Sequence, residues 1–373
     1  MTTEQSIKPI VMPKWGLSMS EGKLTGWLKK AGDKVAVGDQ IVEVETDKIA
    51  GALEAGDAGI LRRTLGEVDT VYPVKALIGI IANASVPDSE IDAYVSSYVT
   101  PTASEDEEAE AESAYAFVET PVGSIRYAKR GEGGDAVILV HGFGGDLDNW
   151  LFNIDALASR ATVYALDLPG HGQSTKTVPE NGFIGLAKGL LDFMDALGIE
   201  RAHLIGHSMG GAISILAALE APERVRSLTL IDSAGLGPEI NTDYLNAFVS
   251  ASSRRELKPV VEQLFADPQL VSRQMLEDLL KYKRIDGVEA ALKSISAQFL
   301  ADGRQQLALA PKLAGFDKPI LVVWGEDDRV IPAAHAKALE GRAKLEVIPG
   351  AGHMAQMEKA SRVNEVILTH LGL

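Results

Sequence analysis

With 373 residues, 46% apolar and 24% charged, the chain has an ordinary soluble globular composition and room for two or three domains, which excludes a disordered or fibrous protein. No apolar run approaches the roughly 18 residues of a membrane helix. No apolar leader follows Met1, and the absence of cysteine excludes disulfides, thiolate metal sites and a cysteine nucleophile. The net charge of -16 argues against nucleic acid and anionic membranes as partners, and a cytoplasmic protein is expected.

Residues 1–82 carry 11 acids and 10 bases and are β-rich. Gln40 to Asp47 alternates apolar and polar residues as a half-buried strand does, and a second strand-like run, Ile49 to Glu54, follows. The two predict a hairpin with Asp47-Lys48 at its tip. A faint repeat relates Asp33-Lys-Val35 and Ile41-Val-Glu-Val44 to Asp69-Thr-Val71 and Leu77-Ile-Gly-Ile80 at an offset of 36 residues. Two similar β-units predict a small barrel or sandwich with approximate two-fold symmetry.

Five segments here fall in the order and spacing of one known family: Met12 to Gly22, Gly32-Asp-Lys-Val35, Gly38-Asp39, Glu45-Thr-Asp-Lys48 and Gly59-Ile-Leu61. Residues 7–82 thereby resemble a lipoyl (biotinyl-type) carrier domain, an all-β barrel-sandwich. The resemblance implies that Lys48 is the attachment point of covalently bound lipoate. Two positions depart from the expected pattern. Ala50-Gly-Ala52 is weak strand material, and Val68 stands where a turn glycine is expected before Asp69.

Residues 83–115 hold 9 acids and no base, with six acids between Glu105 and Glu112. Like charges with little apolar surface predict an acidic flexible linker. Ile91, Tyr94, Val95 and Tyr98 are spaced to pack as an amphipathic turn within it.

Residues 116–373 change to alternating strands and helices. Short apolar strands are predicted at 136–140, 162–166, 202–205, 227–231, 319–324 and 344–348, with helices at 183–197, 211–220 and 361–371. Strands apolar on both faces predict a parallel sheet covered by helices on both sides. About residues 236–311, helix-periodic runs around Leu245, Val261, Leu279 and Leu292 predict an inserted helical cap.

Gly206-His-Ser208-Met-Gly-Gly211 follows a predicted strand and opens a predicted helix, the setting in which G-x-S-x-G forms a nucleophile elbow. His141-Gly-Phe-Gly-Gly145 fails the dinucleotide pattern, because Leu147 stands where its last glycine belongs. It fits an oxyanion loop, with the Phe143 and Met209 N–H groups as candidate donors. An acid and then a histidine should follow the serine. Asp327 and Asp328 end a late strand, and His353 follows the last one. His171 lies in a loop that reads as structural, and His203, His335 and His370 fall in strand or helix. His207 adjoins the serine but faces the wrong way on the turn.

This second part resembles the α/β-hydrolase superfamily over residues 117–373. The resemblance implies Ser208 as nucleophile, His353 as base and Asp328 as acid, three residues after the strand-ending Gly325. Together the two parts resemble the E2 acetyltransferase subunits of acetoin dehydrogenase complexes. That implies transfer of an acetyl group from lipoyl-Lys48 to coenzyme A, with a thiamin-diphosphate E1 and a flavoprotein E3 as partners. The chain lacks the His-x-x-x-Asp-Gly motif of ordinary E2 acyltransferases and any recognisable peripheral-subunit-binding domain. A hydrolase with water as acceptor would use the same three residues, and a carrier with an idle hydrolase fold is the remaining alternative. Lys281-Tyr-Lys-Arg284 reads as a solvated helix face in preference to a site for coenzyme A phosphates.

Overall fold

Residues 7–15, 19–46, 50–101 and 115–373 are described by the computed structural model, and they form two units, Met1–Ser113 and Ala114–Leu373. In the first, eight strands are shared between two antiparallel sheets: β1 (Ile7–Val11), β2 (Glu21–Trp27), β3 (Lys34–Val35), β4 (Gln40–Glu45), β5 (Ala50–Glu54), β6 (Gly59–Thr64), β7 (Thr70–Pro73) and β8 (Leu77–Ala82). The sheet orders are β1-β8-β6-β3 and β5-β4-β2-β7. Exchanging the sheets maps β3 onto β7 and β4 onto β8, so the 36-residue repeat is an approximate two-fold axis. Met12, Leu24, Val44, Leu61 and Ile78 fill the core between the sheets. Val68 is exposed, and the turn's positive φ falls on Asp69 (64°), whereas the first repeat uses Gly32 (100°).

The expected linker does not begin at residue 83. Residues Asp88–Ser97 form helix α1, which docks on the carrier. Ile91 is fully buried against Ile7, Ile80, Ala82 and Val86, with Tyr94 and Val95 packed beside it. The Tyr98 hydroxyl donates to the Lys75 carbonyl at 2.7 Å. The amphipathic turn is thus part of the carrier and not of a linker, and net charge concealed this, because Asp88 and Asp92 pair with Arg62 and Arg63 of β6. The acidic run at 102–114 lies outside the described residues.

The second unit is built on an eight-stranded sheet. Its strands are β9 (Ala116–Thr120), β10 (Gly123–Arg130), β11 (Ala136–Val140), β12 (Thr162–Leu166), β13 (Ala202–His207), β14 (Val225–Ile231), β17 (Ile320–Gly325) and β18 (Lys344–Ile348), with β15 (Leu300–Ala301) and β16 (Arg304–Gln305) forming a separate small ladder. The order is β18-β17-β14-β13-β11-β12-β10-β9, parallel from β18 to β12 and antiparallel beyond. Helices α2 (Ile154–Ala158), α3 (Phe183–Ala196) and α4 (Met209–Glu220) follow β11, β12 and β13, and α9 (Ala355–Glu358) and α10 (Ala360–Leu371) close the chain. The cap consists of α5 (Thr242–Ser250), α6 (Arg254–Val261), α7 (Arg273–Lys283) and α8 (Val288–Phe299), where the four helical runs were expected. Among the described residues, no helix is long and apolar enough to cross a membrane.

Candidate active site

The serine turn is made by glycines on both sides. A Cβ at Gly210 would lie 2.1 Å from the Val140 carbonyl oxygen, and one at Gly206 2.3 Å from that of Gly210. Only glycine lets β13 turn so sharply into α4. The strain falls on Ser208, at φ 52° and ψ −118°, and it lifts the hydroxyl off the end of the strand.

His353 arrives on the loop after β18. Its Nε2 lies 2.9 Å from Ser208 Oγ and its Nδ1 2.8 Å from Asp328 Oδ2. With Nδ1–H donating to the carboxylate, Nε2 is left to accept the serine proton. Asp328 is fixed in turn: its Oδ1 accepts the N–H groups of Val330 and Ile331 at 2.7 and 3.0 Å, and its Oδ2 accepts Trp324 Nε1–H at 3.2 Å. Asp327 is exposed, and its backbone N–H donates to the Ala351 carbonyl at 2.9 Å.

The 141–145 loop passes directly over this site, since a Cβ on Gly142 would lie 3.1 Å from Ser208 Cβ. Met209 is the first residue of α4, where an N–H has no intrahelical acceptor. His141 bridges the Gly142 carbonyl and the Leu168 N–H at 2.7 and 3.0 Å, which holds the loop on β12's end. Asp167 pairs with Arg126 and accepts the N–H groups of Leu147 and Gln173, which fixes the loop that carries His171. Beside it, burial and the neighbouring Asp148 push the Asp146 carboxyl up to about 8.

Three residues around the site have contacts that the sequence did not disclose, His207 among them although its position beside the serine was legible. His207 donates Nε2–H to the His353 carbonyl at 2.7 Å, and burial beside His353 drives it well below the usual histidine range, so it stays neutral. Asp232, fully buried after β14, accepts the Gly325 N–H at 2.7 Å. Burial, reinforced by Asp328, pushes its carboxyl well up. Glu358 accepts the N–H of Gly352 at 2.7 Å and that of Ala266, in the cap, at 2.8 Å, and burial raises its carboxyl also. An acid directly after an apolar parallel strand is the one sequence signal that marks Asp232. Glu358 carries none.

Lys281 pairs with Asp278 on the surface as expected. Lys283 departs from the solvated-face reading: it turns inward and donates to the carbonyls of Phe248 and Ala251. Among the described residues, no cluster of His, Asp or Glu could hold a metal ion.

Asp47, Lys48 and Ile49 lie outside the described residues. Glu45 and Ala50 on either side are antiparallel partners, so Lys48 belongs to a four-residue connection between paired strand ends. A four-residue connection between the paired ends of β4 and β5 fits a lipoyl attachment site.

Both halves match known families: the alpha/beta hydrolase fold over residues 135–360 and the biotin-requiring enzymes over residues 8–81. The fold is also that of a meta-cleavage product hydrolase from Pseudomonas fluorescens, with a TM-score of 0.63 at 25% identity over 69% of this chain and 97% of that one. The chain is thus a lipoyl-type carrier joined to an α/β-hydrolase-fold enzyme. It is 52% identical to the dihydrolipoyllysine-residue acetyltransferase component of the acetoin cleaving system of Cupriavidus necator, over the full length of both. Against the protein of the same description from Pseudomonas putida it is 48% identical over 98% of each chain. It belongs to this acetyltransferase family.

Proposed function

We propose that the chain moves an acetyl group from a lipoyl group on Lys48 to coenzyme A, with Ser208 as nucleophile, His353 as proton carrier and Asp328 as orienting acid. The observation that carries this reading is the hydrogen-bonded series Asp328–His353–Ser208 in a chain that also holds a lipoyl-type carrier. When bound, lipoate supplies a thiol that bears the acetyl group as a thioester.

A serine hydroxyl is a weak nucleophile until its proton leaves. His353 Nε2 takes that proton as the Ser208 Oγ–carbon bond forms, and Asp328 balances the imidazolium charge. The N–H groups of Phe143 and Met209 are the proposed donors to the oxyanion, a role worth about 10²–10³ in rate per donor. Collapse breaks the carbon–sulfur bond, and His353 returns its proton to the departing sulfur. Acetyl-Ser208 and a free thiol remain. In the second half His353 accepts the coenzyme A thiol proton, and the sulfur attacks the acetyl carbon. The proton then passes to Ser208 Oγ as it leaves. Overall one acetyl group passes from the lipoyl sulfur to coenzyme A and one proton passes the other way, with no change of oxidation state.

The test incubates acetylated, lipoylated protein with and without coenzyme A and counts acetyl-coenzyme A against acetate. Coenzyme A-dependent product is expected. Acetate released at equal rates in both tubes would leave a hydrolase with water as acceptor. Lys48→Arg should abolish the lipoyl mass shift, and a modified variant would displace Lys48 as the attachment site. A thiamin-diphosphate E1 that acetylates the carrier and a flavoprotein E3 that reoxidises it complete the cycle, and we place all three in the cytoplasm.

A further inference from the structure

The cap lays one helix across the site. Tyr244 and Phe248 stand four residues apart on α5 and therefore share a face, which is buried against the core. Tyr244 lies at the acid end of the site, where Asp328 and burial together raise its phenol. Phe248 lies at the oxyanion-loop end. Its ring rests on Gly144 so closely that a Cβ there would fall 2.3 Å from the ring edge. The Phe143 ring meets it edge-on at 6.1 Å. Gly142, two residues back in the same loop, is the residue that passes over Ser208.

Phe248 is also held from behind. Lys283, the last residue of α7, donates to the carbonyls of Phe248 and Ala251 and lies 5.2 Å over the Phe248 ring. These carbonyls end α5, so the ammonium satisfies acceptors that the helix leaves open. Beyond Lys283 opens a cavity of about 620 Å³, lined by Val249, Ser250, Ala251 and Lys283 itself. Lys283 thus touches the ring and also lines that cavity.

We propose that Phe248, clamped by Lys283, is the residue that sets acyl length at this site, admitting a two-carbon acyl group and excluding longer ones. The inference rests on the reading of Ser208 as the acyl-accepting nucleophile. An acetyl group on Ser208 presents only a methyl beside the oxyanion loop. Each further methylene has to displace a ring packed on Gly144 and Phe143 and tethered through its own backbone carbonyl. A pocket that refuses one methylene discriminates by roughly 10–200-fold.

The test uses the full-length, lipoylated protein and a series of acetyl, butyryl and hexanoyl esters of p-nitrophenol, then the same acyl groups as coenzyme A thioesters. Nitrophenol release reports acylation of Ser208 whether the second acceptor is water or a thiol. Phe248→Ala and Phe248→Leu should raise the hexanoyl-to-acetyl ratio of kcat/KM about tenfold or more. Lys283→Met should move it in the same direction by less, because the ring then loses its cation and its segment loses the ammonium on the Phe248 and Ala251 carbonyls. A ratio within twofold of wild type in both Phe248 variants overturns the inference. Nitrophenol release without any coenzyme A-dependent transfer would instead defeat the proposed acceptor and leave the acyl-length test intact.

Discussion

Asp328→Asn separates the two aspartates by hydrogen-bond direction alone. Asp328 Oδ1 faces two fixed backbone donors, Val330 N–H and Ile331 N–H, so an asparagine must keep its oxygen there. Its NH₂ group then faces Trp324 Nε1 and His353 Nδ1. Trp324 retains the Ile331 carbonyl at 3.2 Å as a second acceptor. His353 can avoid a donor–donor clash only by moving its proton from Nδ1 to Nε2. That turns an N–H towards Ser208 Oγ, and the base is lost. The equivalent change in serine protease triads lowers kcat about 10⁴-fold, which at 1.36 kcal/mol per decade is about 5 kcal/mol of barrier. A loss of about 10³–10⁴ in the acylation burst is expected here. The thermal unfolding should shift little, since both backbone contacts survive. Asp327→Asn, on an exposed side chain, should stay within about twofold. Equal losses for the two variants, or a loss under tenfold for Asp328→Asn, would refute the argument.

Ile91→Ala should lower the carrier's calorimetric transition by about 10 °C or more, from roughly 2–5 kcal/mol for a buried isoleucine and 4–8 °C per kcal/mol in a small domain. An unmoved transition would mean that α1 is not part of that unit. The Asp146 carboxyl, raised to about 8, stabilises the fold in its protonated form, so its contribution is full at acid pH and is lost as pH rises through about 8. Asp146→Asn cannot ionise and should gain Tm relative to wild type between pH 5 and 9, whereas a constant difference would contradict the shift. If the carrier serves its own Ser208, a protease site engineered near Glu108 and cleaved should slow transfer about 10²–10³-fold at micromolar protein, given an effective concentration of order millimolar when joined. An unchanged rate would show that delivery is between molecules.

The strand–turn–helix at Ser208 was legible because its requirements are local: an apolar strand, glycines where backbone crosses backbone, and a helix. The 36-residue repeat likewise disclosed the carrier's symmetry. Of α1, the amphipathic spacing of Ile91, Tyr94 and Val95 was legible, but its membership of the carrier was obscured because its acids count as repulsion in the sequence, whereas in the fold Asp88 and Asp92 meet Arg62 and Arg63. The β9–β10 hairpin that opens the large sheet also went unread, since only the strongly apolar parallel strands gave a clear signal. Asp232 was marked only by its place after an apolar strand, and Glu358 by nothing. The partner of Asp232 and one of the two partners of Glu358 are backbone N–H groups 93 and 92 residues away, and a backbone donor has no sequence identity to read.

Glu358 makes the cap and the histidine loop mechanically one piece. The same carboxylate receives Gly352, beside His353, and Ala266 of the cap, and Met354 N–H adds a bond to the Leu264 carbonyl at 3.2 Å. Asn241 N–H likewise ties the cap's entry to Val330 on the acid loop at 2.8 Å. Raising the cap along this seam would break several hydrogen bonds at about 0.5–1.5 kcal/mol each, and more for those to the carboxylate. It would also drag the imidazole away from the serine. The seam is therefore the axle about which any opening of the cap would turn.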